Sequence, residues 1–253
     1  MKVVLFANGW VGWKIAEALR QSGDEMVGLV MHPQDKRKFG EELRIAAGLT
    51  EAYLFDGSQL AGATGIDEIR SLQPEIGVSA FFGYRIPEEL LRVFPLGCVN
   101  IHPSMLPHNR GAHPNFWSIV NRTPSGVTIH YMDRDFDTGP IIAQDLVPIE
   151  PIDTGKSLYH RLELACLNLF TKTWPQLRAG AAPLPNDRDA GSSHRVRDLQ
   201  AYVEIDMSRT YTARELIDIL RAATFPPYPG AHFSENGKKV YMRLNLSYEV
   251  EPE

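Results

Sequence analysis

Four short apolar runs constrain the fold of this chain most: Lys2 to Ala7, Met26 to Met31, Ile76 to Phe81 and Cys98 to His102. Each has strand length and little polar interruption, so each reads as a strand buried on both faces. Between them lie stretches with helical spacing. Ile15, Ala16 and Leu19 precede a stop near Gly23, Lys36 to Ala47 has a charged face, and Pro87 to Phe94 is opened by proline. Strands alternating with helices predict an α/β fold, a doubly wound parallel sheet. At 253 residues, 43% hydrophobic and 23% charged, the chain suits one large domain or one domain with a small appendage.

The pattern changes after Trp117. Gly126 to Met132 and Pro140 to Val147 read as strands around a turn, which predicts a mixed or antiparallel extension of the sheet. Ser157 to Thr173 reads as a long amphipathic helix, with Leu158, Leu162, Ala165, Leu169 and Phe170 apolar. Residues 179–198 are rich in Gly, Pro, Ala, Asn and Ser without periodicity, the composition of a linker or a wrapping loop. The chain therefore divides into a core, 1–178, that connecting stretch, and a C-terminal subdomain, 199–253. The subdomain holds a helix from Ala213 to Ala223, a proline turn from Phe225 to Gly230, and a hairpin around Asn236-Gly237.

A net charge of −5 argues against a dedicated nucleic-acid binder. No run approaches the roughly 20 apolar residues that span a bilayer. The N-terminal apolar run is too short for a signal peptide, so a soluble, cytoplasmic protein is expected. Cys98 and Cys166 lie far apart within apolar runs and read as buried free thiols in a reducing compartment. The eight histidines show no metal-ligand spacing.

The candidate chemistry sits at the end of the fourth run. Strand alternation puts Asn100 and His102 on one face, and Pro103 then turns the backbone away. Asp137 arrives later in an Asp-Thr-Gly-Pro turn. An amide donor, an imidazole and a carboxylate at strand ends are the parts of an acyl-transfer site. Each also has a plainer reading, as a cap or a turn residue. A nucleophilic triad through Ser104 lacks the Gly-x-Ser-x-Gly elbow. The loop Asn8, Gly9, Trp10, Val11, Gly12 lacks the third glycine of a dinucleotide fingerprint and reads as a tight turn or a crevice lining. Phe81 to Pro87 offers an aromatic wall with open backbone, suited to a planar heterocycle or simply to core packing.

Taken together, the stretch Asn100 to Gly111, then Gly126 to His130, then Asp137 to Ile141 resembles the folate-dependent formyltransferase family over about residues 1–175. The tail Leu220 to Phe233 resembles sugar-nucleotide N-formyltransferases, whereas the larger basic barrel of methionyl-tRNA formyltransferases has no counterpart. The resemblance implies a Rossmann-like sheet, 10-formyltetrahydrofolate as formyl donor, no metal, and a nucleotide-linked amino sugar as acceptor, a dTDP-amino-dideoxyhexose first among them. It implies that Asn100, His102 and Asp137 are catalytic, with His102 acting as base or oxyanion stabiliser. Phe82, Gly83, Tyr84, Ile86 and Asp133 would grip the pterin. Asn8, Gly9, Trp10, Arg110, Asn115 and Trp117 would line the nucleotide site, with Arg110 on the pyrophosphate. Phe225 and Tyr228 would stack on the base or pack the tail. A homodimer seam at the tail hairpin is expected, because a two-stranded ribbon is marginal unless covered, with neither nucleic acid nor membrane as partner. Met105, His108 and Asn109 depart from the commoner family residues and touch only the substrate rim.

Overall fold

The computed structural model describes residues 1–60 and 62–249; the last four residues of the acidic tail, 250–253, lie outside them. Its strands are β1 (Lys2–Ala7), β2 (Glu25–Met31), β3 (Leu54–Asp56), β4 (Ile76–Ala80), β5 (Cys98–His102), β6 (Arg110–Gly111), β7 (Gly126–Tyr131), β8 (Ile141–Leu146), β9 (Ser193–His194), β10 (Ala231–Glu235) and β11 (Lys238–Met242). The helices are α1 (Gly9–Gln21), α2 (Gly40–Ala47), α3 (Ala63–Ser71), α4 (Glu88–Leu91), α5 (Pro114–Asn121), α6 (Gly155–Arg178), α7 (Val196–Tyr202) and α8 (Ala213–Ala223).

The seven-stranded sheet runs β3-β2-β1-β4-β5-β7-β8. The first five of these strands in the sheet are parallel, and β7 and β8 extend it antiparallel. Alternation along β1 shows why both faces are covered. Val3, Leu5 and Ala7 join Ile15 and Leu19 of α1 and Leu158, Leu162, Leu169 and Phe170 of α6 in one core. Val4 and Phe6 point the other way, into a second core with Ile69, Leu90 and Phe94. Both cysteines are free and buried, and burial pushes both thiols well above their ordinary range.

Several elements differ from the sequence expectation. α2 begins at Gly40 instead of Lys36, because Phe39 takes a left-handed backbone (φ 55°) just before it. The helix expected over Pro87 to Phe94 is a single turn that starts at Glu88, because Pro87 stays extended (ψ 146°) as its cap, and ends at Leu91. α6 is longer than Ser157 to Thr173: Thr154 and Ser157 form a reciprocal cap at its start, and Pro175 is accommodated near its end. α3, β3, α5 and α7 are additional. β1, β5 and α8 have the expected bounds.

The C-terminal elements are bolted to the core by ions. Asp218 of α8 accepts from Arg122 Nε and Nη2 at 2.9 and 2.8 Å and from Arg221 Nε at 2.8 Å. Arg221 is buried and also donates to the Glu150 and Asp153 carbonyls, both at 3.1 Å. β10 and β11 form the expected hairpin, with Asn236 (φ 49°) and Gly237 (φ 75°) as its turn.

Candidate active site

β5 and β7 pair so that Asn100 stands opposite His130 and His102 opposite Thr128. Directly opposed residues share a face of the sheet, as do residues two apart on one strand, so this register gathers one amide and two imidazoles. Asp137 reaches them from the β7–β8 turn. Its backbone is left-handed (φ 57°). The turn also presses Gly139 so close to Tyr131 that a Cβ there would lie 1.9 Å from the Tyr131 carbonyl oxygen.

The Asp137 carboxylate is nearly buried and touches every other member. Oδ2 accepts from the Gly111 backbone N–H at 2.8 Å and lies 3.5 Å from His102 Nε2. Oδ1 accepts from Asn100 Nδ2 at 3.4 Å and lies 3.5 Å from His130 Nε2. His130 is 1% exposed, and its Nδ1 stands 2.8 Å from the Tyr131 carbonyl oxygen. That bond requires a proton on Nδ1, so a neutral ring turns its Nε2 lone pair to Asn100 Nδ2, 3.2 Å away. Asn100 is thereby held from two sides.

Burial drives the His102 imidazole below its ordinary value; Asp137 pulls it back only in part, and His130 pushes the same way as burial. Burial also opposes ionisation of Asp137. As pH falls and His102 takes up its proton, that cation, with His130 and the Gly111 N–H, outweighs burial and holds the carboxyl well below the usual carboxylate range. The resting site is a carboxylate beside an uncharged His102. Behind it, Thr128 Oγ1 donates to the Ser104 carbonyl (2.7 Å) and accepts from Leu106 N (3.2 Å). Ser104 Oγ donates to the His108 carbonyl at 2.7 Å, a structural bond inside the loop, so Ser104 is no nucleophile here.

The loop after β4 carries the aromatic side chains expected to form a wall. Phe82 packs on Phe6, His32 and Tyr84 with ring centroids 5.6, 5.5 and 5.8 Å apart. A Cβ at Gly57 would meet the Phe82 ring at 2.5 Å, so the glycine leaves the ring its place. Gly83 is exposed, with its N–H 3.2 Å from His32 Nε2. Ile86 is buried in the second core, which counts against the expected pterin contact by its side chain. Asp133 is occupied within the turn: Oδ1 accepts from Thr138 Oγ1 (2.7 Å) and Asp135 N (3.1 Å), and Arg188 pairs with the other oxygen. Among the described residues, no group of three or more His, Cys, Asp or Glu is placed to hold a metal ion, and no helix is long and apolar enough to cross a membrane.

Residues 1–173 match the Formyl transferase family. The chain belongs to that family. Residues 198–248 of this formyltransferase match the N-formyltransferase dimerization C-terminal domain. It superposes on a sugar N-formyltransferase from Shewanella with a TM-score of 0.84, 26% identity and 99% of both chains covered. A 4-N formyltransferase from Francisella tularensis gives 0.79 and 26% over 98% of each chain. PseJ from Anoxybacillus kamchatkensis, solved with UDP-4,6-dideoxy-4-formamido-L-AltNAc and tetrahydrofolate, gives 0.59 and 28% over 80% of this chain and 90% of that one.

The residues expected to meet a nucleotide are dispersed. Asn8 Oδ1 accepts from Lys38 N (2.8 Å) and Gly9 N donates to the Lys38 carbonyl (3.2 Å), so this loop is tied to residues 36–38. Trp10 is half-buried in the first turn of α1. Arg110 Nη1 is buried without a partner. Asn115 corrects the expectation: it is 7% exposed, and its amide donates to the Gly155 carbonyl at 2.8 Å, a clamp between α5 and α6. Trp117 is buried too and stacks on His194 at 4.0 Å. Phe225 packs between Tyr159 and Tyr228, and Tyr228 is 55% exposed. Sequence reasoning gave no role to His130, to the Gly111 N–H or to Asn186. Gly126 to His130 was a visible signal, but its use depends on strand register, which alternation alone does not supply.

Proposed function

We propose that this formyltransferase moves a formyl group from 10-formyltetrahydrofolate to the amino group of a nucleotide-linked amino sugar, a dTDP-amino-dideoxyhexose being the favoured acceptor. The observation that carries the reaction is the convergence of Asn100, His102 and His130 on one buried Asp137 carboxylate. The sugar acceptor is supported by likeness along the whole chain, tail included, to the Shewanella sugar N-formyltransferase. The aromatic wall of Phe82 and Tyr84, with exposed Gly83 between them and Ile86 behind it in the core, suits a pterin ring, and Asp133 helps by shaping the turn beside it.

When bound, the folate supplies an electrophilic formyl carbon. His102, uncharged through burial, takes the proton that the sugar amine loses as its nitrogen bonds to that carbon. Asn100 turns an N–H onto the formyl oxygen as negative charge gathers there. Its 3.4 Å contact with Asp137 is long, so that proton is the one free to turn. Asp137 steadies His102 while it is charged, and His102 returns the proton towards the departing folate nitrogen. Asn8, Gly9, Trp10, Arg110 and Tyr228 remain the proposed nucleotide contacts, with the unpartnered Arg110 guanidinium on the pyrophosphate. Homodimerisation through the C-terminal hairpin and a cytoplasmic setting complete the reading, supported by the dimerization-domain match and the two free buried thiols.

A melting panel with dTDP-, UDP- and GDP-linked amino sugars tests the acceptor class. One of them should raise Tm in a concentration-dependent way. A panel with no response from any member, alongside a response to an unrelated amine acceptor, would overturn the sugar assignment.

A further inference from the structure

The stretch between α6 and α7 crosses the catalytic turn and is fastened on both sides of Asn186. Before it, Leu184 and Ile141 exchange two backbone hydrogen bonds, at 2.6 and 2.8 Å. After it, Arg110 N donates to the Ser192 carbonyl (2.9 Å), Ser192 Oγ donates to Asn109 Oδ1 (3.1 Å), and β9 pairs with β6. Gly191 passes so near the Pro107 carbonyl oxygen that a Cβ would lie 2.0 Å from it. Arg188 holds Asp133, at the head of the same turn.

Between these fastenings, Asn186 Nδ2 donates to two backbone carbonyls, that of Asp137 at 3.1 Å and that of Gly139 at 3.0 Å. Flipping the amide would set its oxygen against both carbonyls, so the orientation is fixed. The first of these carbonyls belongs to Asp137, the left-handed residue on which the site depends, and the second lies two residues on. A non-glycine residue keeps such a backbone only where its surroundings hold it.

We infer that Asn186 is a positioning residue: by clamping the Asp137 and Gly139 carbonyls it aims the Asp137 carboxylate at His102 and His130, which makes the 184–194 strap part of the catalytic unit. The kinetic half of this inference rests on the proposed formyl transfer; the geometric half does not. His102 is faced by Asp137, by His130 and by the Asn109 backbone, so its titration reports where the carboxylate stands.

The test uses Asn186→Ala and the near-isosteric, uncharged Asn186→Leu in the full chain, the second guarding against a cavity effect in the first. Melting curves confirm folding, and NMR titration of the labelled imidazoles reads His102 without any turnover. Both variants should lower the His102 pKa further, because it loses a carboxylate held in place. With formyl transfer as readout, kcat should fall about tenfold to a hundredfold while KM for both substrates changes little. Adding Asn186→Ala to Asp137→Asn should cost almost nothing more, since both act through one group. An unmoved His102 titration in folded variants overturns the inference, and so do losses that multiply in the double variant. If the wild-type chain transfers no formyl group at all, the proposed function fails and the imidazole titration still judges Asn186.

Discussion

At the residue scale, the site is governed by the charge states of His102 and Asp137. The amine attacks as its free base and sheds a proton as its nitrogen bonds to the formyl carbon, so the group that takes that proton must itself be uncharged. Burial supplies that by lowering the His102 pKa beneath its ordinary 6.5. The sign follows directly. The protonated, inactive imidazole accumulates only as pH falls, so kcat should climb with pH on an acid limb below 6.5 and level off above it. A limb centred well above 6.5 in the pH profile would contradict the environment described for His102. If Asn100 donates to the formyl oxygen as proposed, Asn100→Ala should cost about 10²–10³ in kcat, as for other oxyanion donors. Alternation put Asn100 and His102 on one face of a strand, whereas Asp137 alone read as a turn residue and only the family resemblance joined it to them. His130 was not, because its partnership with Asn100 is a fact of β5–β7 register. Asn115 misled: an exposed polar residue and a buried amide bonded to Gly155 look alike in sequence.

At the element scale, the Asp137 turn is a tightly packed object. Gly139→Ala would force a methyl group into the Tyr131 carbonyl, so the turn must shift and carry Asp137 with it. The expected outcome is a folded protein with kcat reduced at least as far as in Asn186→Ala, checked by circular dichroism beside kinetics. Wild-type kcat in Gly139→Ala would show that the turn is slack. The α8 bolt makes a stability prediction. Asp218→Ala leaves a buried Arg221 and the Arg122 guanidinium without their carboxylate and should cost about 3–5 kcal/mol in denaturant melts. Strands were the most legible elements, since continuous apolar runs have few alternative uses. The helices were less so, because Phe39 and Pro87 set their starts through backbone angles that periodicity does not reveal.

At the scale of the whole molecule, alternation along β1 already required two covered faces, and the doubly wound sheet follows from it. The sequence also marked 179–198 as a linker or a wrapping loop. Only packing decides between them: Leu184 and Ser192 bind it down across the site. The hairpin leaves Val240 and Tyr241, on its two opposite faces, 41% and 50% exposed, apolar surface that a second copy would cover. Light scattering should give a mass twice that of the 28.4 kDa chain, and Tyr241→Asp should shift it towards the single chain. The same mass for both proteins would remove the hairpin from the interface. The central claim remains that the Asp137-centred cluster transfers a formyl group to a sugar amine. Mass spectrometry of the acceptor after incubation with 10-formyltetrahydrofolate and a dTDP- or UDP-linked 4-amino sugar tests it most directly. The account predicts an acceptor heavier by one formyl group with the wild-type chain and an unchanged acceptor with His102→Ala. Equal formylation by both proteins, or none by the wild type with any acceptor that raises its melting temperature, would contradict it.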